Sequence, residues 1–88
     1  MVTKKVEIIN KTGLHARPAS EFVMLAKKFE SKITLCKDGG EPVNAKSMIR
    51  LLAEGIGQGT VVTLTAEGND EKEAITELVD LISSGFGE

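Results

Sequence analysis

The chain has no tryptophan, no tyrosine and only three phenylalanines, so it is short of the flat side chains on which nucleobases stack. It has no surplus of positive charge either, with 11 lysines and arginines against 13 acidic residues and a formal net charge of −2. A nucleic-acid partner is therefore not expected. Cys36 is the single cysteine, which excludes an internal disulfide, and a small domain without that staple suits a reducing compartment. A cytoplasmic location is expected. His15 is the single histidine and Cys36 lies well away from it in sequence, so no metal-ligand cluster is read, and neither metal nor cofactor is expected. Nowhere do about 18 apolar residues run together, as a membrane span requires, and the opening stretch MVTKKVEIIN lacks the apolar segment of a signal peptide. Membrane insertion is not expected. Internal repeats and Ser/Pro-rich linkers are missing too, and the 88 residues are read as one domain spanning 1–88.

What is present is an ordinary balance for a folded domain, 41% hydrophobic and 27% charged. Val2, Val6 and Ile8 alternate with polar positions, interrupted by Lys4, and predict a first strand ending near Asn10. After the turn NKTG, Ala19, Phe22, Val23, Ala26 and Phe29 recur at helical spacing and predict a helix from Ala16 to about Phe29, with Lys27 and Lys28 at its carboxyl end. Ile33 and Leu35 begin a second strand, Asp38-Gly39-Gly40 turns the chain, and EPV makes a short third strand that Pro42 places at a sheet edge. Ser47 opens a short helix closed by Gly55, and TVVTLTAEG, residues 60 to 68, alternates as a fourth strand. Asp70, with Glu73 three residues on, predicts a capping box for a last helix whose stripe is Ala74, Ile75, Leu78, Leu81 and Ile82. The order is β-α-β-β-α-β-α. Strands with one apolar face imply helices on that face alone, and a right-handed first crossover leaves a gap for the fourth strand. The expected fold is α+β, an open-faced β-sandwich in which three helices cover one face of a four-stranded antiparallel sheet.

The stretch TGLHARP, Thr12 to Pro18, concentrates the chemistry. His15 falls at the start of the first predicted helix, where the amides of Ala16 and Arg17 have no intrahelical acceptor and the dipole favours an anion. Arg17 adds a planar guanidinium that can grip phosphoryl oxygens, and Pro18 stiffens a turn that does not need its missing N–H. A neutral imidazole offers a lone pair that can attack phosphorus. A nucleophile, an anion-binding turn and a charge clamp together suit a transient phosphohistidine, while a histidine in this position can equally be a plain surface or capping residue. Glu21 is the only nearby carboxylate available for acid-base work with His15. Ser47 by itself reads as an N-cap contributing about 1 kcal/mol.

The segment TGLHARPASEFV, together with VNAKS, GIGQG and AEGNDEKEAI, resembles the HPr family, the histidine-containing phosphocarriers of the bacterial sugar phosphotransferase system, over nearly the whole chain. The resemblance implies a non-enzymatic phosphoryl carrier. His15 would take phosphate from Enzyme I, charged by phosphoenolpyruvate, and pass it to the IIA domains of sugar permeases, with Arg17 as the phosphate clamp. It also implies that Ser47 is a regulatory serine addressed by an ATP-dependent kinase/phosphorylase, with a catabolite-control repressor as a further partner. Ser20, Met24, Met48, Ile49 and Leu52 match the family's docking patch. Arg50 departs from the pattern, standing where relatives with this regulation carry glycine. Two other functions are weighed beside the carrier: a regulatory paralogue that docks without relaying phosphate, against which His15 and Arg17 argue, and a small phosphatase, against which the lack of an acid-base or metal set argues. Rapid exchange between relay partners suits small interfaces, and a monomer is expected.

Overall fold

The computed structural model describes all 88 residues. The chain forms β1 (Val2–Glu7), α1 (Ala16–Ala26), β2 (Lys32–Lys37), β3 (Val43–Asn44), α2 (Met48–Ala53), β4 (Val61–Glu67) and α3 (Glu71–Ser83), followed by a short 3-10 turn at Gly85–Gly87. The sheet order is β1-β4-β2-β3, every pair antiparallel. The last strand to be made thus fills the gap left by the first crossover, and the expected open-faced sandwich is what forms.

Register explains the two faces. Val6 lies opposite Val62, and Leu64 opposite Leu35, so the apolar residues stack in rows beneath the helices, with Val62, Leu64, Ile33 and Leu35 fully buried. Thr3, Thr65 and Thr34 form a row on the opposite side, where the Thr3 and Thr65 hydroxyls meet at 3.3 Å. Phe22 and Val23 of α1 and Ala74, Ile75, Leu78 and Ile82 of α3 complete the core. Lys4, the interruption in β1, lines a shallow groove with Val79 and Asp80 of α3, where an edge strand lets the ammonium reach water.

Several boundaries differ from the sequence expectation. β1 stops at Glu7, opposite Val61 where β4 begins; Ile8 still donates to the Thr60 carbonyl, and the chain then leaves the sheet. α1 stops at Ala26, because Lys28 and Phe29 donate to the carbonyls three residues back and tighten the end into a turn, which still delivers Phe29 to the core. The Lys46 ammonium donates to the Phe29 carbonyl at 2.7 Å and closes that end. β3 is only Val43–Asn44, with Pro42 outside it. Asp70 heads α3 without capping it. Its carboxylate instead accepts from the amides of Glu30, at 2.8 Å, and Ser31, at 3.0 Å, and from the Ser31 hydroxyl, latching α3 to the start of β2. Those donors, the Ser31 hydroxyl foremost, hold the Asp70 carboxyl below its ordinary value.

Candidate functional site

The turn that delivers His15 is shaped by close packing of two loops. Gly13 has φ +64°, and a Cβ there would fall 2.5 Å from the Ile56 carbonyl oxygen and 2.6 Å from the Gly57 Cα. Only glycine lets the chain turn left-handed and lie this close to its neighbour. Leu14, buried, donates its amide to the Ile56 carbonyl at 2.9 Å, and the Gln58 side-chain amide donates to the Ile9 carbonyl at 3.1 Å. The GIGQG segment is therefore the bed on which the histidine-bearing turn rests.

His15 occupies the N-cap of α1 with extended backbone, φ −80° and ψ −174°, and its side chain makes no capping hydrogen bond. Its carbonyl accepts from the Ala19 amide at 2.8 Å, while the amides of Ala16 and Arg17 have no acceptor within the chain. The ring is exposed, beside two unclaimed donors at the positive end of an eleven-residue helix. Pro18 is buried and anchors this first turn from beneath.

Arg17 is exposed, and its Nε lies 3.6 Å from Glu21 Oε1, one turn along the helix. Glu21 is therefore occupied with Arg17 rather than with His15. An exposed pair of this spacing contributes only about 0.3–0.5 kcal/mol, so the guanidinium leaves it readily for a stronger anion.

Asn10 and Glu88 were not singled out in the sequence. Asn10 is buried, and its Nδ2 donates to the Gly13 carbonyl at 2.8 Å. Glu88 reaches the same turn, accepting from the Thr12 hydroxyl at 2.6 Å and from Asn10 Nδ2 at 3.2 Å. The Thr12 hydroxyl is the chief cause that holds the Glu88 carboxyl below its ordinary value, with Asn10, the Thr12 amide and the charge of Arg17 adding to it. Asn10 carries a sequence signal as the first residue of a turn; Glu88 carries none.

Ser47 caps α2, and its hydroxyl accepts from the Arg50 amide at 3.3 Å. On α1, Ala16, Ser20 and Met24 share one face at four-residue intervals, and on α2 Ile49 and Leu52, three residues apart, share the exposed side, with Met48 one turn before Leu52 partly turned inward. The two helices pack against each other. Ile49 is 80% exposed, Met24 66% and Leu52 41%, whereas Met48 and Ser20 are half-buried. Apolar side chains this exposed and this close together make the face a candidate docking surface. No three His, Cys, Asp or Glu side chains come together as a metal site, and no helix is long and apolar enough to cross a membrane.

Comparison with known proteins converges on one family. The family model PTS-HPr, described as the PTS HPr component phosphorylation site, matches residues 2–84. The HPr-like protein Crh of Halalkalibacterium halodurans is 51% identical over 82 residues, which is 93% of this chain and 96% of that protein. The phosphocarrier protein HPr of Haemophilus influenzae is 48% identical over 82 residues, 93% and 95% of the two chains. A crystal structure of HPr from Thermoanaerobacter tengcongensis, 57% identical, superposes with a TM-score of 0.96 over 100% of this chain and 98% of its own. A crystal structure of an HPr dimer from the same organism gives 0.79 over the full length of both.

Proposed function

This chain belongs to the HPr family of phosphotransferase-system phosphocarriers, proteins that carry phosphoryl groups rather than catalyse reactions, and we propose that its phosphoryl acceptor is His15. The donor is Enzyme I, charged by phosphoenolpyruvate, and the recipients are IIA domains of sugar permeases, all in the cytoplasm. The observation that carries the assignment is the exposed, uncapped ring beside the free amides of Ala16 and Arg17.

The step follows from that arrangement. A lone pair on a ring nitrogen attacks phosphorus and an N–P bond forms. The donor's bond to phosphorus breaks, and its electron pair leaves with the donor. Charge gathering on the phosphoryl oxygens is met by the Ala16 and Arg17 amides, and Arg17 exchanges Glu21 for the phosphoryl group. Nothing encloses the ring, so the group stays accessible to the next acceptor, as a carrier requires. Met24, Ile49 and Leu52, with Ser20 and Met48, form the surface that Enzyme I and the IIA domains meet in turn.

Phosphorylation of Ser47 by an ATP-dependent kinase would place a dianion among the apolar residues of that surface and weaken docking, and the modified face would be the one a catabolite-control repressor recognises. Arg50, exposed beside the cap, would partly neutralise the phosphate. The likeness to the HPr-like protein Crh favours a second reading, a regulator that docks partners without relaying phosphate. The monomer expected from the sequence stands against a relative solved as a dimer, and sedimentation of the free chain decides between them.

Incubation with phosphoenolpyruvate and Enzyme I followed by intact-mass measurement separates the carrier from the docking regulator. One added phosphate in the wild-type chain and none in His15→Ala is the expected result. Acid-labile phosphate remaining on His15→Ala would refute the acceptor assignment.

A further inference from the structure

We propose that the side of α1 carrying Met24 is an interface with a second copy of this chain, two α1 helices meeting antiparallel about a two-fold axis. Glu21, Met24 and Leu25, with Lys28 in the turn that ends the helix, are spaced as i, i+3, i+4 and i+7 and form one stripe. The stripe borders a shallow groove of about 330 Å³ between α1 and α3, whose far wall is Leu81. Leu25 and Leu81 are half-buried against the core, and Met24 is 66% exposed. An apolar floor therefore lies open beside an apolar side chain that nothing covers. Methionine, unbranched and pliable, suits insertion into such a groove.

Charge and symmetry select the occupant. Glu21 and Lys28 carry opposite charges at the two ends of the stripe, equally far along the chain from the midpoint between Met24 and Leu25. A two-fold axis through that midpoint, perpendicular to the helix, sets Glu21 against Lys28 of the second copy and Met24 against its Leu25, and repeats both contacts in reverse. A parallel pairing in register would oppose like charges instead. Both charged ends are available. The Lys28 ammonium, unlike those of Lys37 and Lys46, bonds to nothing within the chain, and Glu21 engages only Oε1, in the weak pair with Arg17 at 3.6 Å.

An interface made of one helix face and its groove is small, so the pair forms reversibly and at high concentration. It buries Met24, which the carrier reading above places on the surface that meets Enzyme I, and under that reading a paired chain withholds this surface from its donor. The pairing itself rests only on the stripe and its charges.

The test is sedimentation equilibrium of the full chain from about 10 μM to about 1 mM, with Glu21→Lys and Lys28→Glu made singly and together. Glutamate and lysine are both good helix formers and neither position is buried, so α1 survives these changes. Expected is a monomer–dimer equilibrium in the wild-type chain, weakened about tenfold or more by either single change, because the symmetry turns two attractions into two repulsions. The two single variants mixed in equal amounts should form a heterodimer, since every cation again meets an anion, and the double variant should pair as the wild type does. A wild-type chain that stays monomeric throughout overturns the proposal. A dimer indifferent to both single changes is built on another face and overturns it too, as does a mixture that remains monomeric. None of these outcomes involves phosphoryl transfer, so the carrier reading stands or falls separately.

Discussion

At the start of α2 the Ser47 hydroxyl turns back to accept from the Arg50 amide, whereas at the start of α1 His15 holds the same cap position, its ring makes no capping bond, and Pro18 leaves no third amide to cap. The six-residue α2 cannot hold its own first turn, since short helices are marginal without help, and the serine cap supplies about 1 kcal/mol. The eleven-residue α1 forgoes that contribution and is held from outside: Pro18 and Leu14 are buried, Gly13 lies against Ile56 and Gly57, and Glu88 splints the turn before the histidine. One helix start carries a side-chain cap with an apolar face beside it. The other has neither a side-chain cap nor partners for its first-turn amides, and tertiary contacts replace the missing cap.

The largest expected effect removes the reactive half of that comparison. His15→Ala abolishes phosphoryl acceptance in the mass measurement while shifting stability by no more than about 0.5 kcal/mol, because the exposed ring makes no capping bond to lose. Gly13→Ala attacks the support instead. With a positive φ and backbone within 2.6 Å of the new Cβ, it should lower unfolding stability by about 2–4 kcal/mol, read by denaturant titration, and lower transfer with it. A neutral Gly13→Ala would mean that the two loops separate without consequence.

Arg17→Ala should slow transfer on the order of tenfold or more with little change in melting temperature, since the side chain is exposed and its ion pair with Glu21 is weak. Equal rates would remove Arg17 from the clamp. At the other helix start, Ser47→Asp should keep the fold, aspartate being as good an N-cap as serine, yet raise the KM for Enzyme I about three- to tenfold by setting a charge among Met48, Ile49 and Leu52. Adding Arg50→Gly should deepen that loss. An unchanged KM in both variants would detach this surface from Enzyme I.

The smallest expected effect concerns the third helix start, where Asp70 latches onto the 30–31 loop. Its carboxyl is held below the ordinary value of 3.8, so the stability it adds is present above that pH and is lost as pH falls through the lower folded value. The difference in melting temperature between wild type and Asp70→Asn should therefore shrink as pH is lowered from 5 towards 2. A difference that stayed constant would show that the neutral carboxyl serves as well.

Local periodicity made most of the architecture legible. Alternation in VVTLTAE and the stripe of Ala74, Ile75, Leu78, Leu81 and Ile82 depend only on residues within a turn or a pleat of one another, and they appear in the structure as the sequence implies except that Leu81, at the margin of the stripe, is only partly buried. The ends of elements were less legible. Phe29 continues the apolar spacing of α1 because it is buried, but it is buried through a tight turn, and spacing cannot distinguish the two. Asp70 followed by Glu73 has the pattern of a capping box, yet the Glu30 and Ser31 donors brought up by β2 took the carboxylate first.

By itself the sequence determined that His15 would stand at the start of a helix, with Arg17 one residue inside it, because a cap position and its first-turn amides are set by neighbours in the chain. It likewise determined that Ser47 would cap α2. Only the tertiary structure decided how that first turn is held. Gly13 meets Ile56 and Thr12 meets Glu88 across long separations in sequence, and contacts of that kind leave no periodic trace in the chain, because they exist only once the sheet has brought its loops to the same end.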